Sequence, residues 1–296
     1  MNTWKNLRRS AILGLLILAA TVVWFGWSSG ADQLDAQDTT SPTVERGVVQ
    51  ATATAPTVAT VSKNPVESHS LTAPLRLAKR SRVAVENLEE YACRFANRDE
   101  VKGRIFHHQA VVKFRAQPHS VYMRFEGEHV GREVLYVDGR HDGKLLAREK
   151  RGLAALVGTV MLRPESSQAL SESRQPITKF GMAHVLQSVI KQWETEARFA
   201  AEETVSQYYP SAKLQDMDCQ VIETYHPVQR PEFPYYLTRL FIDKATQLPV
   251  RVEQYEFPTR PDATPPLVEE YTFWDIVSNP GFTEADFDSR NPEYNF

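Results

Sequence analysis

The chain has 296 residues, 24 % of them charged and 42 % hydrophobic, with a formal net charge of -3. That length accommodates one large or two ordinary domains, and the composition is that of a globular protein. The charge balance shows no basic bias of the kind nucleic-acid binding normally brings, so no nucleic-acid partner is expected.

The N-terminus differs from the rest. Lys5, Arg8 and Arg9 precede an uncharged, mostly apolar run from Ala11 to Trp27, and the small residues Ser28-Ser29-Gly30-Ala31 follow. This is the three-part grammar of a signal peptide, with Ser29 and Ala31 as the small residues before a cut. The run also reaches the roughly 17 residues that a bilayer span needs. Trp24 and Trp27 would then sit at the outer interface, with the basic residues held inside. Residues 1–31 therefore read as a cleaved signal peptide or an uncleaved membrane anchor. Both predict export, to the periplasm or to the periplasmic face of the inner membrane. No Cys follows the apolar run, so a lipid-modified N-terminus is not expected.

Residues 32–75 are dominated by Thr, Ala, Val, Pro and Ser, and no aromatic residue occurs from Ser28 to Glu90. Such a stretch buries too little apolar surface to offset the entropy of ordering it. It predicts a disordered linker ahead of a folded domain at 76–296.

That domain opens with a helix expected from about Pro74 to Glu90, where Leu77, Ala84, Leu88 and Tyr91 recur at helical spacing. The period then changes to two. "YACRFANR", "AVVKFRA", "SVYMRFEG", "REVLYVD" and "KLLARE" read as strands separated by short polar turns. The segment 152–180 is irregular. Met182 to about Glu203 forms a clear helix, with Met182, Val185, Leu186, Val189, Trp193, Ala197 and Ala200 on one stripe and Lys191, Glu194, Glu196 and Arg198 opposite. Strands resume in "CQVIETYHP", "YYLTRLFID", "PVRVEQYEFP" and "PLVEEYTFWDI", each rich in β-branched and aromatic residues. Two runs of strands around one inserted helix predict an α+β fold with one antiparallel sheet. Cys93 and Cys219 both fall in strand patterns. Each reads equally as half of a disulfide in an oxidising compartment or as a free buried thiol.

The most motif-like stretch is "GREVLYVDGRHDGKLLA", Gly131 to Ala147. A phosphate loop needs four residues between its glycines and a hydroxyl after the Lys. Gly139 and Gly143 are separated by three, and Leu145 stands at the hydroxyl position. A calcium loop needs acids at alternating positions, and Asp138 and Asp142 do not supply them. The Asp-Gly pairs instead provide the positive-φ positions of a β-hairpin connection. His107 and His108 are adjacent on a strand and point to opposite faces. His184 has no H-E-x-x-H partner, no G-x-S-x-G is present, and His119, His129 and His226 fall at turns. Glu202–Glu203 and Glu269–Glu270 read as solvated surface. No catalytic residue, metal site or cofactor is expected.

The turn "FIDKATQLPVRVEQYEF", together with the Gly131–Ala147 stretch, resembles the periplasmic lipoprotein carriers and outer-membrane lipoprotein receptors (LolA/LolB-like). More closely, "YACRF", "SVYMRF", "ITKFGM", "CQVIETYHP", "PLVEEYTFWDI" and "GFTEADFD" resemble a family of exported bacterial proteins known as a domain of unknown function. The likeness runs from about Glu89 to Asp288. It implies a half-barrel of about nine to eleven antiparallel strands with helices on the concave side, whose apolar surface holds acyl chains. Met123, Phe125, Leu135, Val137, Leu240, Ile242, Tyr271 and Phe273 are the residues that would line such a cavity, and equally the residues that would fill an ordinary core. The expected function is an envelope binding or carrier module for an acyl chain, lipid or lipoprotein. A membrane-tethered sensor or scaffold with an unknown protein partner, and a hydrolase with dispersed acids, remain alternatives.

Overall fold

The computed structural model describes the backbone of residues 58–59 and 66–68 and the whole of residues 70–260 and 262–296, all within one unit, Thr52–Phe296. The expected signal or anchor segment and most of the expected linker lie outside the described residues. Among the described residues, no helix is long and apolar enough to cross a membrane.

Two short strands come first, β1 (Val58–Ala59) and β2 (Val66–Ser68), then helix α1 (Thr72–Glu86). Six strands follow: β3 (Glu90–Val101), β4 (Arg104–Arg115), β5 (Ser120–Glu126), β6 (Glu133–Val137), β7 (Leu145–Arg148) and β8 (Val160–Leu162). After helix α2 (Met182–Phe199) come β9 (Val205–Leu214), β10 (Met217–Tyr225), β11 (Leu237–Asp243), β12 (Pro249–Tyr255) and β13 (Leu267–Ser278). Among the described residues, all thirteen strands join one sheet, and every pairing is antiparallel.

Strand order explains where the helices go. β3 to β8 form one meander and β9 to β13 another, and β13 pairs with β3 to join them at the centre. The chain therefore leaves the sheet at the β8 edge and re-enters near the opposite edge at β9, ten strand spacings away, roughly 48 Å along the sheet. The connection has to cross a face, and α2, about 27 Å long at the helical rise, lies in that connection. The sheet curves around it as a half-barrel. Met182, Leu186, Val189, Ile190 and Trp193 of α2 are fully buried on the concave face. Trp193 Nε1 donates to Thr224 Oγ1 on β10 at 2.9 Å, and Gln192 Nε2 donates to Thr238 Oγ1 on β11. Entry to α2 requires Gly181. Its φ is +119°, and a Cβ there would lie 2.9 Å from the Phe114 ring.

Several expectations shift. The first helix begins at Thr72, inside the stretch read as linker, and ends at Glu86, so Leu88 and Tyr91 are not helical. Pro74 falls in its first turn, where a missing N–H is tolerated. The linker stretch also contributes β1 and β2, which pair with β9. Strand β9 escaped detection because Pro210 interrupts its pattern. Pro210 lies between the residues that pair β2 and those that pair β1, where its missing N–H breaks no ladder bond on that side. Gly131–Ala147 is the expected hairpin: β6 and β7 pair, and His141, Asp142, Gly139 and Gly143 take positive φ between them.

Cys93 and Cys219 are both free and buried. They stand on β3 and β10 with three strands between them, roughly 19 Å apart by strand spacing, whereas a disulfide needs Cα atoms within about 7 Å. The disulfide alternative is excluded.

Candidate functional site

Period-two alternation sends one set of side chains from each strand to the concave face. Phe95 on β3, Met123 and Phe125 on β5, Val134 on β6, and Tyr271 and Phe273 on β13 face Val185 and Val189 of α2 across a cavity of about 810 Å³. Phe180, in the segment before α2, closes one side; its ring meets Phe95 edge-on at 5.0 Å. Of the residues expected to line a cavity, Met123, Phe125, Tyr271 and Phe273 do so. Leu240 and Ile242 are buried in the main core and do not reach it. Leu135 and Val137 lie on the opposite face of the sheet, in a separate cluster with Tyr122, Leu146 and Phe287. The C-terminal residues cover them: Tyr294 stacks on Tyr122 at 3.9 Å, and Phe287 is buried above the strands. Both faces of β6 are apolar, which is why alternation alone did not distinguish inside from outside there.

A lip of exposed apolar residues stands beside the cavity. Leu153, Leu156 and Val157 are 67 %, 83 % and 70 % exposed, on a short turn flanked by Gly152 and Gly158. Ala154 and Val157 of this turn also line the cavity. Lys150, Arg151 and Arg163 flank the lip in sequence.

His184, Ser188, Lys191, Gln192, Thr195 and Glu196 line the cavity from α2, and further polar groups gather at one rim, built from the C-terminal ends of β3, β5 and β12 and the N-terminal ends of β4, β6 and β13. Two clusters stand there. In the first, Asp99 and Glu269 face each other in register across β3 and β13, and both are buried. Tyr271 Oη lies 3.2 Å from Asp99 Oδ1 and 2.6 Å from Glu269 Oε1, so its one proton serves two carboxylates. Asn97 Nδ2 donates to Asp99 at 2.8 Å, and Tyr235 Oη donates to Glu269 at 3.1 Å. Burial raises the Asp99 pKa above the ordinary carboxylate value, and the charge of Glu269 adds to it. Burial also raises the Tyr271 and Tyr235 phenols, so both stay protonated. Glu269, read from its "EE" pair as solvated surface, is 4 % exposed.

In the second cluster, Glu172 comes from the irregular connection after β8. Arg132 Nη1 donates to its Oε2 at 2.6 Å, while Arg132 Nε engages Glu149. His108 Nε2 lies 3.4 Å from the same Oε2, and His129 Nε2 lies 4.0 Å from it. The His108 hydrogen bond, reinforced by Arg132 against the cost of burial, lowers the Glu172 carboxyl to about 2. Burial and the nearby Arg132 lower His129, which favours the neutral ring. Sequence reading placed His108 on a strand and His129 at a turn, and nothing in the residue order linked either to Glu172.

A third buried polar pair also escaped the helix reading. Glu196, assigned to the solvent face of α2, is 1 % exposed, and its Oε1 lies 3.3 Å from His226 Nε2. Trp193 and Thr224 fill the turn beside it, so the polar stripe of α2 is narrower than its sequence suggests.

Residues 88–296 match a family described as "protein of unknown function (DUF1571)". The chain belongs to this DUF1571 family. No curated protein matches it. Among solved structures, the lipoprotein LppX of Mycobacterium tuberculosis is 14 % identical, with 73 % of this chain and 98 % of that chain covered and a TM-score of 0.42. A DUF1329 family protein from Desulfovibrio piger is 12 % identical, with 75 % and 98 % covered and a TM-score of 0.34. A LolA superfamily protein from Nitrosomonas europaea is 10 % identical, with 72 % and 96 % covered and a TM-score of 0.29. At these values each likeness is one of general outline.

Proposed function

We infer that this DUF1571 protein is an exported cell-envelope binding module that holds an acyl chain or lipid in its half-barrel cavity. The observation that carries the reading is the cavity itself. Its volume of about 810 Å³ falls in the range of small-molecule sites, roughly 300–1,000 Å³. Its sheet walls carry apolar side chains, its carboxylates Glu172 and Glu269 stand at one rim, and His184, Lys191, Gln192 and Glu196 add polar groups along the α2 side. That division suits an amphiphile, with the chain among Met123, Phe125, Val134 and Phe273 and the polar head at the rim. Each buried methylene contributes about 0.8 kcal/mol, so a ten-carbon segment would contribute on the order of 8 kcal/mol before the cost of ordering it. The exposed Leu153, Leu156 and Val157 beside the opening give a lipid a low-polarity path in or out. The apolar run Ala11–Trp27 after Lys5, Arg8 and Arg9 supports export, and its retention would tether the domain to the membrane.

Native mass spectrometry of protein purified without detergent tests the reading, together with titration of a fluorescent fatty acid and its displacement by palmitate. A co-purifying lipid, or saturable probe binding reversed by palmitate, is the expected result. Neither a bound lipid nor displaceable probe binding would overturn it.

A further inference from the structure

The cluster at the cavity rim has a composition that a lipid cavity does not require. His108, His129 and Glu172 each present one ligand atom, and these three atoms lie within 4.8 Å of one another. The two imidazoles turn their Nε2 atoms toward a single carboxylate oxygen, Glu172 Oε2. We propose that His108, His129 and Glu172 form a binding site for a divalent transition metal of the zinc type.

Ligand chemistry supports this first. Two imidazoles and one carboxylate are a donor set that zinc accepts, with bonds of about 2.0–2.2 Å and further positions open to water or to another oxygen. Ligands around a tetrahedral ion at those bond lengths stand about 3.3 Å apart. The His108–Glu172 separation of 3.4 Å already matches, the His129–Glu172 separation of 4.0 Å needs a contraction of about 0.7 Å, and the two imidazole nitrogens, within 4.8 Å of each other, need one of at most about 1.5 Å. The elements permit that contraction. His108 is fixed on β4 and buried, whereas His129 sits in the short turn Gly127–His129 and Glu172 in the irregular connection before α2.

Charge supports it second. Arg132 is the cation now nearest to Glu172, and an arginine beside a metal is unfavourable. Arg132, however, is shared between two carboxylates, Glu172 and Glu149. Glu149, Glu172 and Arg132 together carry a formal charge of -1. An incoming dication can take Glu172 while Arg132 keeps Glu149, so neither cation loses its counter-ion. The site is independent of the acyl-chain reading, because the metal alone occupies it and no lipid contributes a ligand.

The test uses the protein stripped with a chelator and then titrated with Co²⁺ and Zn²⁺ salts alone. Calorimetry gives stoichiometry, and visible d–d absorption of Co²⁺ reports coordination by protein nitrogen. One equivalent is expected, with Zn²⁺ displacing Co²⁺. His129→Ala and Glu172→Gln should each weaken binding at least about 10-fold, since even outer partners of a metal site are worth that much. His107→Ala, which removes the neighbouring exposed histidine, should leave binding unchanged. His129 and Glu172 are partly exposed, so these variants are expected to fold even if His108→Ala does not. No saturable equivalent, or binding equal to the parent in both His129→Ala and Glu172→Gln, would overturn the proposal.

Discussion

Trp193→Phe tests how α2 is anchored on the concave face. Trp193 is fully buried, and its Nε1 donates at 2.9 Å to Thr224 Oγ1, which is itself buried. Phenylalanine retains most of the packing but leaves the Thr224 hydroxyl without that donor. An unsatisfied buried polar group costs about 1–3 kcal/mol. The smaller ring also leaves a void, worth on the order of 1 kcal/mol at the usual cost of cavity volume. The sum is about 2–4 kcal/mol. At the sensitivity of a domain this size, roughly 2–4 °C per kcal/mol, Tm should fall by about 5–15 °C. Thr224→Val strands the indole N–H in turn and should cost about 1–3 kcal/mol. The double variant removes both partners, so urea unfolding of the four proteins should give a coupling energy of about 1 kcal/mol or more. Additive losses, or a Trp193→Phe cost below about 0.5 kcal/mol, would refute the reasoning that this hydrogen bond locks the helix to the sheet.

Three further outcomes are expected. Val134→Trp projects a large ring into the cavity from β6; displacing about two methylenes of a bound chain should weaken a fluorescent fatty-acid probe about 10-fold, and unchanged probe affinity would count against the cavity as the binding site. Asp99→Asn should raise stability near neutral pH. Because the folded pKa of Asp99 lies above its unfolded value, the folded state holds the proton more tightly, and the stability this provides is present at low pH and lost as pH rises through the folded value. The gain from Asn should therefore be largest at pH 7–8 and shrink toward pH 4, and thermal melts showing a less stable variant at neutral pH would contradict it. Cys93 and Cys219 are 3 % and 0 % exposed; burial pushes the Cys219 thiol up to about 12 and raises Cys93 as well, so a thiol reagent should modify both only on unfolding, and intact mass should show two free thiols. Rapid modification of either in the native protein would be inconsistent with this burial.

The two halves of the fold meet at one pairing, and that shapes the site. β13 closes on β3 along eight residue pairs, from Glu269↔Asp99 to Ser278↔Tyr91. Residues 170 to 187 positions apart thus become neighbours on adjacent strands. Phe95 meets Phe273 at 5.1 Å, and Asp99 meets Glu269. The aromatic pair and the carboxylate pair come from the same register, so a slip of β13 by one residue would turn Glu269, Tyr271 and Phe273 away from the cavity.

Local pattern was sufficient for most elements. Period two in "SVYMRFEG" placed Met123 and Phe125 on one side and Tyr122 on the other, because each strand obeys its own pleat whatever its neighbours do. The stripe on Met182–Phe199 located α2, and the Asp-Gly pairs identified the hairpin through backbone geometry alone. What local pattern does not contain is which face of a strand the rest of the chain will cover. Leu135 and Val137 look like cavity residues, yet the C-terminal Phe287 and Tyr294 bury them from behind. Glu269 looks like surface, yet the pairing of β13 with β3 encloses it. His108 and Glu172 are separated by a whole half of the meander and carry no shared signal. They meet because the connection from one sheet edge to the other must cross the concave face, and in crossing it lays Glu172 over β4. The sequence by itself determined most of the elements and the alternation within each, though not β1, β2 or β9. The cavity, its polar rim and the separation of the two cysteines were decided by strand order, a property of contacts between distant segments.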